Sequence, residues 1–168
     1  MATIICDKIV RVIKNKKKLE KILNVKITNV GKEVSVDGPG EDEYFALKVI
    51  DALNLGFSFS DAISIKQHEL EFDVINIKDY ARRGNLEKIR GRVIGKNGKA
   101  LGAISELTKC SLEIKGNEIG IIGDPERIKF AIDAVIQIVR GSKHANVYKG
   151  LEKRKEDPVL DLGLKERK

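Results

Sequence analysis

The sequence has 168 residues, of which 42% are hydrophobic and 34% charged, so it can bury the core of one or two small domains. No run approaches the roughly 18 consecutive apolar residues that a membrane span needs, and the N-terminal residues lack a signal pattern, so we expect a cytoplasmic protein with no membrane partner. The formal net charge of +7 favours an anionic partner without identifying it.

Two halves of the chain follow the same plan. A shift of 85 positions places Gly31 to Val34 on Gly116 to Ile119, and Phe45 on Phe130, in one register. Self-similarity at a fixed spacing indicates two copies of one structural unit. We therefore predict a first domain over 1–66 and a second over 67–156.

The first half opens with apolar residues that predict a strand from Ile4 to Ile13. The stretch from Lys14 to Leu23 is then too short for two helices and a turn, and no glycine precedes Gly31. A β-hairpin is predicted next from the alternation of apolar residues from Val25 to Val36. Acidic residues at 41–43 then begin a helix that Gly56 ends.

The second half has a longer opening. A strand is predicted from Glu69 to Asp79, then a helix through Asn85 to Arg90, a turn rich in glycine, and a helix from about Lys99 to Lys109. A hairpin over 110–121 follows. Asp124-Pro125 then begins a helix that runs to Gly141, and a further helix is expected through Tyr148 and Leu151. The mixed-charge tail over 157–168 is expected to be flexible.

The glycine-rich turn is Gly95-Lys96-Asn97-Gly98. Glycine opens the backbone angles that such a turn needs, and the missing side chains let a phosphate reach main-chain N–H groups. The N-terminus of the following helix adds partial positive charge. Between Tyr80 and Ala100 the chain has seven basic residues and one acidic residue, so most of the positive excess falls at this turn.

The turn and its surroundings resemble a KH domain of the eukaryotic topology, type I, in which a GxxG loop clamps the backbone of single-stranded RNA. The resemblance rests on Ile94 before the loop and on Leu101 and Ile104 after it. It implies an α+β fold of two tandem type I KH domains, each with a three-stranded antiparallel sheet packed on helices, the first degenerate and without GxxG. The implied RNA-binding residues are Arg82, Arg83, Arg90, Gly91, Arg92, Val93, Ile94, Gly95, Lys96, Asn97, Gly98, Lys99, Leu112 and Ile114.

Other chemistry finds little support. A P-loop would need glycine where the chain has Val93 and a hydroxyl where it has Ala100. His68 and His144 have no catalytic neighbour at a telling spacing. The two cysteines are far apart and are expected to be buried, so we predict no metal, no cofactor and no enzymatic activity.

Three segments are also similar to one family, the archaeal and eukaryotic ribosome-assembly factor called Dim-two or partner-of-Nob. They are 90–100 around the loop, 121–126, and 144–148 after the last long helix. Eukaryotic members carry a long N-terminal extension that this sequence does not show, so the resemblance implies the archaeal form.

That resemblance implies a non-enzymatic factor that binds the 3′ end region of small-subunit rRNA in the pre-small-subunit particle and assists the Nob endonuclease. Two alternatives remain open. One is a general KH adaptor in RNA degradation or mRNA binding, and the other is a protein-interaction scaffold around a translation initiation factor. The first half is expected to pack on the second or to present a protein-binding surface, and its lysines at 14–21 leave an auxiliary RNA contact open.

Overall fold

The computed structural model describes residues 1–82 and 84–156. The first module comprises β1 (Ala2–Ile5), α1 (Ile9–Lys14), α2 (Lys16–Leu23), β2 (Lys26–Val30), β3 (Glu33–Asp37), α3 (Gly40–Leu55) and α4 (Phe59–Gln67). The second comprises β4 (Glu71–Asn76), α5 (Ile77–Tyr80), α6 (Leu86–Ile94), a 3₁₀ turn (Lys96–Gly98), α7 (Lys99–Thr108), β5 (Ser111–Lys115), β6 (Glu118–Gly123), α8 (Pro125–Val139) and α9 (His144–Glu156). Arg83 and the predicted tail at 157–168 lie outside the described residues.

Each module contains a three-stranded antiparallel sheet, with strand orders β1-β3-β2 and β4-β6-β5. The two hairpin turns are built alike, because Gly31 and Gly116 have φ values of +60° and +62°. The repeat and the α+β class predicted from the sequence are therefore confirmed. Among the described residues, no helix combines the length and apolar character needed to cross a bilayer.

The strand predicted from Ile4 to Ile13 is wrong beyond β1. Its second part forms α1, which buries Val12. The guanidinium of Arg11 donates hydrogen bonds to the carbonyls of Leu53 at 3.0 Å and Phe57 at 2.5 Å, near the end of α3. These tertiary contacts outweigh the strand propensity of isoleucine and valine.

The stretch from Lys14 to Leu23 holds one helix, α2, as its length predicted, but the first module still has a second helix before it. Residues assigned to the strand supply α1, and Asn15 alone joins it to α2, with φ −108° and ψ 13°. The Asn15 side chain donates to the carbonyl of Arg11 at 2.9 Å, which fixes this tight junction. The absence of a glycine loop from the first module is confirmed.

Two further differences concern the region between the modules. The strand predicted over 69–79 ends at Asn76, whose side chain accepts a hydrogen bond from the N–H of Lys78 at 2.9 Å and begins α5. Helix α4 was missed, although Ser58 provides an N-cap that accepts from the N–H of Asp61 at 3.1 Å. The 85-residue shift places the start of α4 on that of α9.

The sheet of the second module is covered on both faces. One face, with Ile75, Ile119 and Ile121, packs on the helices of its own module. The other face contributes Phe72 and Ile122 to the core of the first module. Packing of the first module against the second, one of the two roles expected for it, is therefore observed.

Gly120 lies in the contact between the modules. A Cβ atom at this position would lie 2.8 Å from Cε2 of Phe57 in the first module, so the close approach requires glycine. At the edge of the contact, the ammonium of Lys115 lies 3.3 Å from the carboxylate of Asp7 and 3.4 Å from the carbonyl of Asn54. Both cysteines are buried, as predicted.

Candidate nucleic-acid interface

The GxxG loop is held by α6, which precedes it. Asn85 begins this helix, and its side chain accepts hydrogen bonds from the N–H groups of Glu87 at 2.8 Å and Lys88 at 3.4 Å. The N–H of Gly95 donates to the carbonyl of Gly91 at 2.8 Å and closes the last turn. The loop therefore leaves the helix at a fixed point.

The backbone of the loop requires its glycines. Gly95 has φ 78° and ψ 171°, a region open essentially to glycine alone. A Cβ atom on Gly95 would also lie 2.6 Å from both the Cβ and the N atom of Ala100. Asn97 and Gly98 are left-handed, with φ 55° and 77°, and the N–H of Gly98 donates to the carbonyl of Gly95 at 3.1 Å. The result is a compact bend between α6 and α7.

The outer surface of the bend is suited to an anion. Lys96, Asn97 and Lys99 are exposed, and no ion pair among the described residues engages either lysine. Helix α7 has ten residues, no acidic residue in its first turn and no side-chain cap at its N-terminus. The first N–H groups of α7, the positive end of its dipole and the ammonium groups of Lys96 and Lys99 therefore belong to the same exposed bend, a combination that can bind a phosphate.

The arginines predicted to bind RNA have different environments. Arg82 is exposed. Arg90 is half-buried and donates to the side-chain carbonyl of Asn117 at 2.9 Å, which ties α6 to the turn between β5 and β6. Arg83 lies outside the described residues.

Arg92 supports the fold, and its contact with RNA stays a prediction. Its guanidinium donates to the carbonyls of Ile138 at 2.6 Å and Ser142 at 2.7 Å, so it caps the end of α8. The carbonyl of Arg92 in turn lies 2.7 Å from Nε2 of His144 at the start of α9. These two hydrogen bonds use two of the five guanidinium N–H groups, so Arg92 has a structural role whether or not it also contacts RNA.

The apolar residues that the resemblance implies for RNA binding come from α6 and β5, and we call the surface formed by Ile94, Leu112 and Ile114 the groove. Ile94, Leu112 and Ile114 are half-buried, so part of each side chain remains open to a ligand. Val93 is completely buried and Ile89 is only 9% exposed. Val93 therefore forms part of the core below the groove, and its role in RNA binding stays a prediction. Gly91 is exposed on α6.

The opposite face of β5 belongs to the contact between modules. Burial raises the pKa of Glu113 above its ordinary value, and the nearby carboxylate of Asp61 raises it further. Lys115 on the same face binds the first module, as described above. Strand β5 therefore presents one face to the groove, while its other face is fixed by the first module.

Sequence reasoning missed two residues of this region. Asn117 anchors Arg90. In the sequence, the only indication of such a role was the position of Asn117 in the turn between two strands. Lys88 is exposed on α6 and was counted only as part of the local charge. In the part of the chain that the structure describes, no group of three or more His, Cys, Asp and Glu side chains could hold a metal ion.

Comparison with known proteins identifies the family. Residues 71–156 match a family model for the second KH domain of PNO1, described as a eukaryotic-type KH domain, type I. A chain of the crystal structure of the a/eIF2alpha–aDim2p–rRNA complex from Pyrococcus horikoshii OT3 is 30% identical, with a TM-score of 0.85 over 93% of this chain and 94% of that chain. The chain belongs to the PNO1/Dim2 family.

Two curated relatives agree with this assignment to the PNO1/Dim2 family. A KH domain-containing protein of Methanocaldococcus jannaschii is 34% identical over 84% of this chain and 65% of its own length. The pre-rRNA-processing protein pno1 of Schizosaccharomyces pombe is 31% identical over 61% of this chain and 44% of its own length. The chain thus spans less than two thirds of the length of either relative.

Proposed function

We propose that this protein binds single-stranded RNA through the GxxG loop of its second module and acts in ribosome assembly. The observation that carries the proposal is the loop itself. Its glycine-only backbone brings Lys96, Lys99 and the uncapped N-terminus of α7 to one exposed surface. Such a surface can bind successive phosphates without any side-chain rearrangement.

The bases would lie in the groove beside the loop. Ile94 on one side and Leu112 and Ile114 on the other offer half-buried apolar surface. Arg82, Arg90 and Arg92 remain candidate contacts for the RNA. Stacking and apolar contact would hold the bases, and hydrogen bonds to their Watson–Crick edges would provide sequence preference.

The proposed target is the 3′ end region of small-subunit rRNA within the pre-small-subunit particle. Two similarities support it. The Pyrococcus relative was crystallised in a complex with rRNA, and the S. pombe relative is named for pre-rRNA processing. Assistance to the Nob endonuclease is part of the proposal through the family resemblance.

A titration tests RNA binding. A labelled oligonucleotide of the rRNA 3′ end is titrated with the wild-type protein and with Lys96→Asp/Asn97→Asp, in which aspartate can still adopt the left-handed conformation of residue 97. We expect at least about a hundredfold loss of affinity from charge reversal at the phosphates. The matched control is Lys32→Asp/Asn29→Asp, which makes the same charge change at exposed positions of the first module. Equal affinities of the two variants would contradict the proposal.

The salt dependence provides a second readout. A loop that neutralises about four phosphates on a single strand predicts a slope of log affinity against log salt of about −3. A slope near zero would show that binding does not involve the phosphate backbone.

A second candidate is a scaffold that contacts a translation initiation factor. It is favoured because the relative from Pyrococcus was crystallised together with a/eIF2alpha as well as rRNA. Calorimetry with an archaeal a/eIF2alpha, with and without the oligonucleotide, separates the two candidates. Tight protein binding with weak, sequence-indifferent RNA binding favours the scaffold. Affinity purification that recovers exosome or mRNA complexes in place of pre-ribosomal particles would favour the RNA-degradation or mRNA adaptor.

We also propose domain limits of 1–66 and 67–156. The observation that supports them is the short junction of residues 68–70, because α4 ends at Gln67, one residue past the proposed limit, and β4 begins at Glu71.

A further inference from the structure

A groove of about 570 Å³ lies where the two modules meet. It shares no lining residue with the GxxG loop or with β5. Its base is apolar, since Phe72 is buried and Phe45 and Leu70 are half-buried. Tyr44 beside them is 56% exposed and meets the Phe45 ring edge-on at 5.5 Å. A large aromatic side chain exposed beside apolar surface is typical of an interaction site.

The groove also runs along an open strand edge. Strand β4 is at the end of its sheet, and no other strand of the described residues pairs with its outer side. Residues 70–73 all line the groove. Because successive side chains of a strand point to opposite faces of the sheet, a groove that lay on one face would be lined only by alternate residues. The groove is therefore bordered by the backbone edge of β4, whose N–H and C=O groups can pair with an extended peptide.

The rim of the groove is acidic in an otherwise basic protein. The exposed carboxylates that line it are Glu41, Glu69, Glu71 and Asp73. Two lysines also line it, and both already contact protein groups. Lys66 lies 3.4 Å from the carboxylate of Asp42 and 4.9 Å from the Phe45 ring centroid, while Lys48 lies 5.1 Å from the Tyr44 ring centroid.

We infer that this groove binds an extended segment of a partner protein that is rich in lysine and arginine and carries an apolar or aromatic side chain. The carboxylates would pair with the cations of the segment, the edge of β4 would pair with its backbone, and the aromatic base would take its apolar side chain. RNA does not fit, because its phosphates would meet carboxylates. The inference does not depend on RNA binding at the GxxG loop.

The test uses a short synthetic peptide of lysines and arginines around two leucines, labelled with fluorescein, at moderate salt. The full chain is compared with Glu71→Lys/Asp73→Lys, which reverses two exposed charges on β4. The control, Glu33→Lys/Asp37→Lys, makes the same change at exposed positions of β3. A peptide with glutamate in place of each cation reports on non-specific apolar binding.

We expect the basic peptide to bind the wild-type protein and the control alike, and to bind the β4 variant at least about tenfold more weakly. Tyr44→Ala should also weaken binding, and the amide resonances of residues 69–73 should shift on titration. The inference is overturned if the wild-type protein does not bind the peptide, if both charge-reversal variants bind it equally, or if the acidic peptide binds as well. Shifts confined to other residues would overturn it too.

Discussion

Replacing Gly95 by alanine tests whether the loop depends on the backbone geometry described above. The residue combines φ 78° and ψ 171° with a close approach to Ala100. The backbone conformation costs a non-glycine residue about 1–3 kcal/mol. Forcing a methyl group to within 2.6 Å of Ala100 adds about 1–3 kcal/mol of overpacking. We therefore expect Gly95→Ala to lower the free energy of unfolding by about 2–6 kcal/mol.

Two other glycines provide matched controls for the same substitution. Gly98 has φ 77° but an added Cβ would meet nothing within 4 Å, so Gly98→Ala should cost only the left-handed conformation, about 1–2 kcal/mol. Gly102 is exposed within α7 with nothing within 4 Å of its Cβ position, and Gly102→Ala should stabilise the helix by about 0.5–1 kcal/mol.

Urea unfolding of the three variants, monitored by circular dichroism, measures their free energies of unfolding. Titration with the oligonucleotide measures their affinities for RNA. Gly95→Ala should lose both stability and affinity, whereas Gly102→Ala should gain stability. If Gly95→Ala were as stable as Gly98→Ala, the close approach to Ala100 would not be a constraint and the reasoning would be wrong.

Three further substitutions test the supporting structure. Arg92→Met removes two charge-assisted hydrogen bonds to carbonyls and should lower the free energy of unfolding by about 3 kcal/mol in urea titrations, whereas Lys96→Met should leave it nearly unchanged. Gly120→Val should separate the modules by colliding with Phe57, and faster hydrogen exchange of β4 and α4 would report it; unchanged exchange would contradict the packing. Burial raises the pKa of the Cys6 thiol from about 9 to about 11. The neutral thiol therefore contributes fully to the free energy of unfolding below pH 9, and this contribution is lost as the pH rises towards 11. Between pH 9 and 11, urea titrations should show that the free energy of unfolding falls less steeply with pH for Cys6→Ala than for the wild-type protein. Identical slopes for the two proteins would contradict the raised pKa.

The loop and the hairpins could be predicted because their signals are local. Gly95 and Gly98 are required by backbone angles at those positions, and Gly31 and Gly116 mark turns between alternating strands. Asp124 and the proline after it define the start of α8 in the same way. Each of these features depends on a few neighbouring residues, so the sequence contains the information directly.

The sequence-based predictions were wrong where tertiary contacts determine the local structure. The residues of α1 have high strand propensity, and their helical form is stabilised by tertiary contacts such as the burial of Val12 and the hydrogen bonds of Arg11 to a distant helix end. The local charge around the loop could not show which arginines also support the fold. Arg92 caps α8 through contacts across 46 and 50 residues, a separation that local pattern analysis does not cover.

Packing of the first module on the second was one of two expectations, but the sequence could not show which surfaces meet. The apolar residues of β4 and β6 predicted a buried strand face but not the partner that buries it. The acidic groove beside Tyr44 exists only because the helices of one module meet the strand edge of the other.

Crosslinking of the protein to a photoreactive oligonucleotide of the rRNA 3′ end, with the crosslinked residues identified by mass spectrometry, tests the central claim most directly. The geometry of the loop predicts crosslinks to residues 94–99 and to 112–114, all lost in Lys96→Asp/Asn97→Asp. Crosslinks that fall mainly on the first module, or that persist unchanged in this variant, would contradict RNA binding through the GxxG loop.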